Sequence, residues 1–170
     1  MFNIKIGIIS DTHISKDLYK IEELLRRYLQ SVDLIIHAGD FKNSKVIDII
    51  KKQKNFIGVF GNNDGDAVKE KVKEKEIIVL EGYKIGIHHG DGTNKSTIDR
   101  AYEVFKEDKV DIIIFGHSHQ PIVKTLDKIL MINPGSPISK RKDRWYSYVI
   151  LELSKDNIKA QVNFFEKGIK

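Results

Sequence analysis

The stretch VDIIIFGHSHQP, residues 110–121, joins an apolar run that is suited to a buried strand to a polar segment with two histidines. Gly116 ends the run, and His117 and His119 follow it one residue apart. A single histidine at a strand end is usually a structural residue whose hydrogen bonds are satisfied. Two histidines at this spacing indicate a functional site at the end of the strand. The residues that follow the other apolar runs test that interpretation.

Four other apolar runs also end in residues that can bind a metal ion or transfer a proton. These are SDTH with Asp11 and His13, HAGD with His37 and Asp40, GNND with Asn62, Asn63 and Asp64, and HHGD with His88, His89 and Asp91. The carboxyl ends of parallel strands form the ligand-binding crevice of an open α/β sheet, so we expect the clusters to meet in one polar pocket. Carboxylates that share such a pocket repel each other unless a cation lies between them.

The order of the apolar segments predicts an α/β fold. Runs at 4–9, 33–37 and 56–60 alternate with helical patterns, and this β-α-β-α-β order implies parallel strands with right-handed crossovers. Close-set strand patterns with turn residues between them fill the part of the chain after residue 120. The sequence therefore predicts two mixed β-sheets that form a sandwich flanked by helices, in a single domain spanning residues 1–170.

Capping and charge patterns predict where the early helices lie. Ser15 is placed to cap the first helix, and Asn43 or Ser44 to cap the second. Segment 66–76 alternates Lys and Glu, which is typical of a solvated helix face, with a basic contact surface as the alternative.

Composition limits the class of protein. The 29 basic and 24 acidic residues are spread along the chain and give a net charge of +5, which favours anionic substrates without concentrating into a nucleic-acid-binding surface. There is no cysteine, which excludes disulfides and thiolate metal sites. The apolar start MFNIKIGIIS reads as a strand rather than a signal peptide, and no stretch is long enough to span a membrane. We expect a cytoplasmic protein with neither membrane insertion nor stable nucleic-acid binding.

The five clusters, in this order, resemble the motifs of the calcineurin-like metallophosphoesterases. The matching residues are Asp11-x-His13, Gly39-Asp40, Gly61-Asn62-Asn63-Asp64, His89-Gly90 and Gly116-His117-Ser118-His119. The short chain, the GNND motif and INPGSP at 132–137 are most similar to the small YfcE-type phosphodiesterases of bacteria and archaea. The resemblance implies the same sandwich fold and a centre of two divalent metal ions at one edge.

The resemblance also implies a ligand set. It assigns Asp11, His13, Asp40 and His119 to one ion and Asn62, His89 and His117 to the other, with Asp40 bridging both. Imidazole, carboxylate and amide donors without thiolate favour transition metals over Mg or Ca. Manganese is the expected metal, with Ni, Fe, Co or Zn as alternatives.

Neighbouring residues complete the expected catalytic set. Asn63 and Asp64 belong to it, and Asp64 is expected to orient the loop or to accept a hydrogen bond from a ligating imidazole. His37 is expected to be structural or to support a ligand. His88 and Asp91 each have two open readings. His88 is a substrate contact or a satisfied strand residue, and Asp91, like Asp64, orients its loop or accepts a hydrogen bond from a ligating imidazole.

The expected reaction is hydrolysis of small phosphate esters, phosphodiesters foremost, by a hydroxide that two metal ions activate. No nucleophilic side chain is required, so Ser118 and Ser136 are interpreted as loop hydroxyls. Asn63 stands where many relatives have a histidine that is thought to help protonate the leaving group. An amide cannot do this, which predicts a preference for activated leaving groups.

The competing hypothesis is a non-catalytic scaffold of the same fold, like a eukaryotic retromer subunit whose metal site is degraded. The intact set of seven ligand types favours the enzyme. A third hypothesis, a nucleic-acid binder, depends on net charge alone. Small relatives often form dimers or tetramers, so a homo-oligomer is expected, and the physiological substrate stays open.

Overall fold

The computed structural model describes residues 3–170 and contains ten strands and four helices within that range. In chain order the strands are β1 Ile4–Ile9, β2 Leu34–His37, β3 Asn55–Gly58, β4 Lys75–Leu80, β5 Tyr83–His88, β6 Ile112–Ile114, β7 Pro121–Leu126, β8 Ile129–Pro134, β9 Tyr146–Ser154 and β10 Asn157–Phe165. The helices are α1 Tyr19–Tyr28, α2 Lys45–Gln53, α3 Asp66–Lys69 and α4 Thr97–Phe105.

The strands form two five-stranded sheets, in the orders β10-β9-β1-β2-β3 and β4-β5-β6-β8-β7. β1, β2 and β3 run parallel, as the β-α-β-α-β pattern predicts, and β9 and β10 join them antiparallel. In the second sheet β5, β6 and β8 are parallel, with antiparallel β4 and β7 at the edges. Both sheets are therefore mixed, and the predicted sandwich is confirmed.

The main core lies between the sheets, where alternate residues of each central strand point inward. Fully buried Ile6 and Ile8 of β1 share one cluster with Ile85 of β5 and Ile112 and Ile114 of β6. The intervening residues face outward. Helices α1, α2 and α4 each have one apolar side, and this side packs over those residues. Burial on both faces explains why the central strands read as continuous apolar runs.

Helices α1 and α2 cover the first sheet, and α4 covers the second. Leu24 and Leu25 of α1 pack in one cluster with Ile47 of α2 and Ile35 of β2. Phe105 of α4 packs with Ile113 and Met131 of the second sheet. None of the helices within residues 3–170 combines the length and the apolar character that a membrane crossing needs.

The predicted cap of the first helix is wrong. Helix α1 begins at Tyr19, and Leu18 occupies the N-cap position. No side chain caps the helix, so Ser15 has no capping role. At α2, Ser44 occupies the cap position without a side-chain bond, while Asn43 Oδ1 accepts a hydrogen bond from the Lys45 N–H at 3.0 Å.

The predicted helix over 66–76 is also largely wrong. Only Asp66–Lys69 is helical, and Val68 is its one buried residue. The chain then leaves the helix because Lys73 bridges to Val59 beyond β3 and Lys75 starts the antiparallel pairing with β5. Pairing with the sheets satisfies the backbone there, whereas a helix continued over residues 73–76, KEKE, would have no further apolar side chain to bury.

Candidate metal centre

Five of the seven predicted ligands surround one small volume at the carboxyl ends of the strands. Asp11 Oδ1 lies 3.3 Å from His119 Nε2, 3.7 Å from His13 Nε2 and 3.8 Å from His89 Nε2. Asp40 Oδ2 lies 3.3 Å from His89 Nε2 and 3.5 Å from His13 Nε2. These atoms form two groups that share Asp11, one with His13 and His119 and the other with Asp40 and His89.

The geometry fits a divalent metal ion. Asp11 Oδ1 and His89 Nε2 are buried and have no hydrogen-bond partner among residues 3–170. Buried polar atoms without partners are rare and call for an explanation such as a bound ion. Two ligand atoms about 2.1 Å from a shared ion lie roughly 3–4 Å apart, which matches the separations around Asp11 and Asp40.

Hydrogen bonds leave one oxygen of Asp11 directed at the centre. Asp11 Oδ2 accepts bonds from the Ser10 hydroxyl at 2.7 Å and from the His117 N–H at 2.9 Å. Its other oxygen, Oδ1, remains for a cation. Burial works to raise the pKa of Asp11, but the adjacent His119 and His13 imidazoles hold it well below its usual range. The carboxylate therefore stays charged.

Two histidines are held with their Nε2 atoms towards the centre. His89 Nδ1 lies 2.7 Å from the Ala38 carbonyl oxygen, and His119 Nδ1 contacts the Ser139 carbonyl oxygen. A carbonyl only accepts hydrogen bonds, so each Nδ1 carries a proton, which leaves Nε2 as the nitrogen that can bind a metal once it is deprotonated.

The pocket is strongly anionic. Burial alone lowers the pKa of His89, yet the adjacent Asp40 and Asp11 carboxylates outweigh it and raise that pKa to about 9. Burial raises the pKa of Asp40, but the adjacent His89 imidazole and the hydrogen bonds from Asn63 bring it below its ordinary value. A cation held by these residues would take the place of the proton on His89 and balance the charge of the carboxylates.

Asp64 orients the loop rather than an imidazole. Its Oδ2 accepts hydrogen bonds from the Asp40 N–H at 2.9 Å and the Gly61 N–H at 2.8 Å, and its Oδ1 accepts one from the Lys42 N–H at 2.8 Å. Of the two predicted roles for Asp64, the structure shows the first. Asp64 thus ties the loop after β2 to the loop after β3.

The last two predicted ligands lie beside the five. His117 Nδ1 is 3.2 Å from Asn62 Oδ1, and the His117 ring meets the His89 ring edge to face at a centroid distance of 5.2 Å. Asn63 points at Asp40: its side-chain amide donates to Oδ2 at 2.7 Å and its backbone N–H donates to Oδ1 at 2.9 Å.

The backbone at these residues is strained. Five of the seven predicted ligands have left-handed φ angles: Asp11 at 55°, His13 at 46°, Asp40 at 63°, His117 at 69° and His119 at 61°. Non-glycine residues rarely adopt this conformation, and such strain is concentrated at functional sites, where surrounding contacts impose it.

His37 and His88 have structural partners. His37 accepts from the Gly39 N–H at Nδ1, contacts the Thr12 hydroxyl at Nε2 and stacks on Phe41. Burial lowers the pKa of His37 to about 3, so it is neutral. His88 accepts a 2.9 Å bond from the Gly90 N–H at Nδ1, which favours the reading of a satisfied strand residue. Asp91 lines a separate cleft beside α4.

Sequence reasoning missed one feature, a cleft of about 410 Å³ that opens beside the centre. Its lining residues are His13, Lys42, Asn63, Ser139 and Arg141. Lys42 follows Asp40 by two residues, a proximity that could have been noticed. Arg141 comes from a loop that no motif covers, and only the fold brings it to the site.

Comparison with known proteins gives consistent matches. The profile of the calcineurin-like phosphoesterase superfamily domain matches residues 4–156. A probable metallophosphoesterase of Methanocaldococcus jannaschii is 34% identical over 137 residues, which are 80% of this chain and 69% of that protein. A novel archaeal phosphodiesterase of known structure has a TM-score of 0.75 at 27% identity, covering 94% of this chain and 100% of that one. Vacuolar protein sorting 29 of Cryptosporidium parvum has a TM-score of 0.72 at 19% identity over 98% of this chain and 100% of that one, a likeness of fold alone.

Proposed function

Because this chain belongs to the calcineurin-like phosphoesterase superfamily, whose profile spans residues 4–156, we propose that it is a phosphodiesterase that uses two divalent metal ions. That it is a metal-dependent hydrolase of phosphate esters follows from the family. The observation that carries the finer proposal is the pair of unpartnered buried atoms, Asp11 Oδ1 and His89 Nε2, in an anionic pocket. Both atoms face the space that a cation would fill.

We assign the two ions to overlapping sets of residues. Asp11, His13, Asp40 and His119 would hold one, and Asn62, His89 and His117 would hold the other, with Asp40 shared. The position of Asp40 Oδ2, within 3.5 Å of both His13 Nε2 and His89 Nε2, supports the shared role. Nitrogen and oxygen donors without thiolate support manganese as the metal, with Ni, Fe, Co or Zn as substitutes.

The bound ions would supply Lewis acidity and an activated water near neutral pH. The chain's own residues position these groups. Asp64 fixes the backbone of Asp40, and the Ser139 and Ala38 carbonyls fix the rings of His119 and His89. Such supporting contacts typically change metal affinity or activity by about 10–100-fold when removed.

The serines near the centre are occupied in other ways. The Ser136 hydroxyl donates to the Asp11 carbonyl oxygen at 2.8 Å and accepts from the Ser139 N–H. Ser118 Oγ accepts from the Asn133 side chain at 3.0 Å. These contacts support a mechanism in which water, rather than a serine, attacks phosphorus.

The scaffold remains the alternative, because a vacuolar sorting protein shares the fold. A scaffold has no need of buried carboxylates, since these destabilise the folded state when no cation neutralises them. The retained donor set therefore supports the enzyme.

The test is hydrolysis of bis(4-nitrophenyl) phosphate and 4-nitrophenyl phosphate by metal-free chain reloaded with Mn²⁺. We expect the diester to be cleaved at least about tenfold faster than the monoester, and only with metal. Asp40→Asn should lower the rate at least about 100-fold, whereas Asp17→Asn, at an exposed aspartate paired with Lys20, should not. A folded chain that cleaves neither ester with Mn, Ni, Co, Zn or Fe would support the scaffold.

A further inference from the structure

The cleft beside the centre carries two cationic side chains that the proposed reaction does not use. We propose that Lys42 and Arg141 bind a second anionic group of the substrate, so that the preferred diester carries a carboxylate or phosphate on one of its ester groups. This inference rests on the proposed function and names the substrate class of the same site.

The cleft is continuous with the candidate metal centre. His13 and Asn63 line it, and both also contact Asp40: His13 Nε2 lies 3.5 Å from Asp40 Oδ2, and the Asn63 amide lies 2.7 Å from the same oxygen. Ser139, a third lining residue, accepts the hydrogen bond that orients His119. A phosphodiester bound at the centre would therefore extend one ester group along this cleft.

Both cations lack an anionic partner within the described part of the chain. No carboxylate of residues 3–170 lies within salt-bridge distance of Lys42 or Arg141, although many other basic residues of the chain are paired. Two basic residues near Arg141 have partners outside the cleft: Lys140 donates to the Asp143 carbonyl, and Arg144 stacks on Trp145. The cleft thus presents two charges that no carboxylate of the described residues neutralises.

The backbones of both residues lie next to groups that position the candidate ligands. Lys42 has a φ of 70°, and its N–H donates to Asp64, the carboxylate that also positions Asp40. Arg141 has a φ of 54° and follows Ser139, the partner of His119, by two residues. Strained backbone of this kind persists where the surroundings impose it.

Charge balance indicates what the cleft accepts. The phosphate of a diester carries a single negative charge, and the metal ions would interact with that charge directly. Two further cations gain most from a second anion on the same molecule, since Lys and Arg bind carboxylates and phosphates through charge-assisted hydrogen bonds. A neutral ester group would leave both cations facing water.

The experiment compares two 4-nitrophenyl phosphodiesters that differ in the second ester group: 3-carboxyphenyl or its neutral counterpart, 3-carbamoylphenyl. We expect kcat/KM for the carboxylate to exceed that for the amide by about tenfold, from about threefold for each exposed cation. In the double variant Lys42→Gln, Arg141→Gln the ratio should fall to about one. Lys45→Gln with Lys142→Gln, two exposed lysines outside the cleft, should keep the wild-type ratio.

A binding measurement separates this inference from the proposed function. Calorimetry on Mn²⁺-loaded protein compares phenylphosphonate with 4-carboxyphenylphosphonate. The carboxylated compound should bind more tightly than phenylphosphonate to the wild type, but not to the double variant. Its advantage should shrink from 0.1 to 1 M NaCl, as the Debye length falls from about 10 to about 3 Å. Equal affinities in the wild type, or an advantage that survives in the double variant, would overturn the inference whether or not the esters are hydrolysed. Hydrolysis of both esters at equal rates would leave the proposed function intact.

Discussion

Asn63 contacts the proposed bridging carboxylate and cannot supply a proton. Its amide donates to Asp40 Oδ2 at 2.7 Å, and an amide does not titrate near neutral pH. The leaving oxygen must then depart largely as an anion. We predict that Asn63→His raises the rate for poor leaving groups relative to good ones, within the roughly 10²–10⁴-fold range of general acid catalysis.

The measurement is a series of substituted phenyl phosphodiesters assayed at saturating Mn²⁺ with the wild type, Asn63→His and Asn63→Ala. The alanine variant separates loss of the bond to Asp40 from gain of an imidazole. We expect a steep dependence of rate on leaving-group pKa in the wild type and in Asn63→Ala, and a shallower one in Asn63→His. A flat dependence in the wild type, with chemistry rate-limiting, would mean that another residue donates the proton.

The identity of the site residues was largely predictable, whereas their surroundings were not. Donor-rich motifs after apolar runs marked the strand ends as the site, and the family resemblance implied seven ligands there. The structure brings five of the seven together in two groups that share Asp11. The positions of Lys42 and Arg141 in the cleft depend on how two loops fold back over the strand ends. Local sequence pattern does not encode that path. The hydrogen bonds of Asp64 were ambiguous for the same reason.

At the scale of elements, the loops after the strands approach one another too closely for larger residues. A Cβ added at Gly61 would clash with the Asp40 carboxylate and lie 2.7 Å from His89 Cδ2. We predict that Gly61→Ala displaces Asp40 or His89 and weakens Mn²⁺ binding at least about tenfold, while the strands remain folded. Gly65→Ala, four residues on, is the control, since a Cβ there meets nothing within 4 Å.

Calorimetric titration with Mn²⁺, together with circular dichroism, checks this prediction. Equal Mn²⁺ affinity in Gly61→Ala and Gly65→Ala would show that the loop relaxes without moving the ligands.

Strands were easier to predict than helix boundaries. The central strands are buried on both faces, so continuous apolar runs mark them clearly, and β1 spans Ile4–Ile9 as predicted. The helix predicted for segment 66–76 was largely wrong because its Lys and Glu pattern favours a helix only where no pairing with other strands competes. Pairing of Lys75 with His88 in β5 decides its conformation, and such long-range pairing is invisible to a local pattern.

At the scale of the whole molecule, the fold brings loops from both sheets to one edge. Asp11 and Asp40 follow strands of the first sheet, and His89, His117 and His119 follow strands of the second. The hydrogen bond from the His117 N–H to Asp11 joins the two halves of the centre. Burying these charged groups opposes folding, and bound metal offsets that cost by stabilising the folded state.

The central claim is that this edge binds two divalent ions that share Asp40. The measurement is equilibrium dialysis of metal-free chain against Mn²⁺, with bound metal counted by elemental analysis in the wild type and in Asp40→Ala. We predict two ions per wild-type chain and loss of both from Asp40→Ala at the same free Mn²⁺ concentration. One ion or none in the wild type, or two ions retained in folded Asp40→Ala, would contradict the claim.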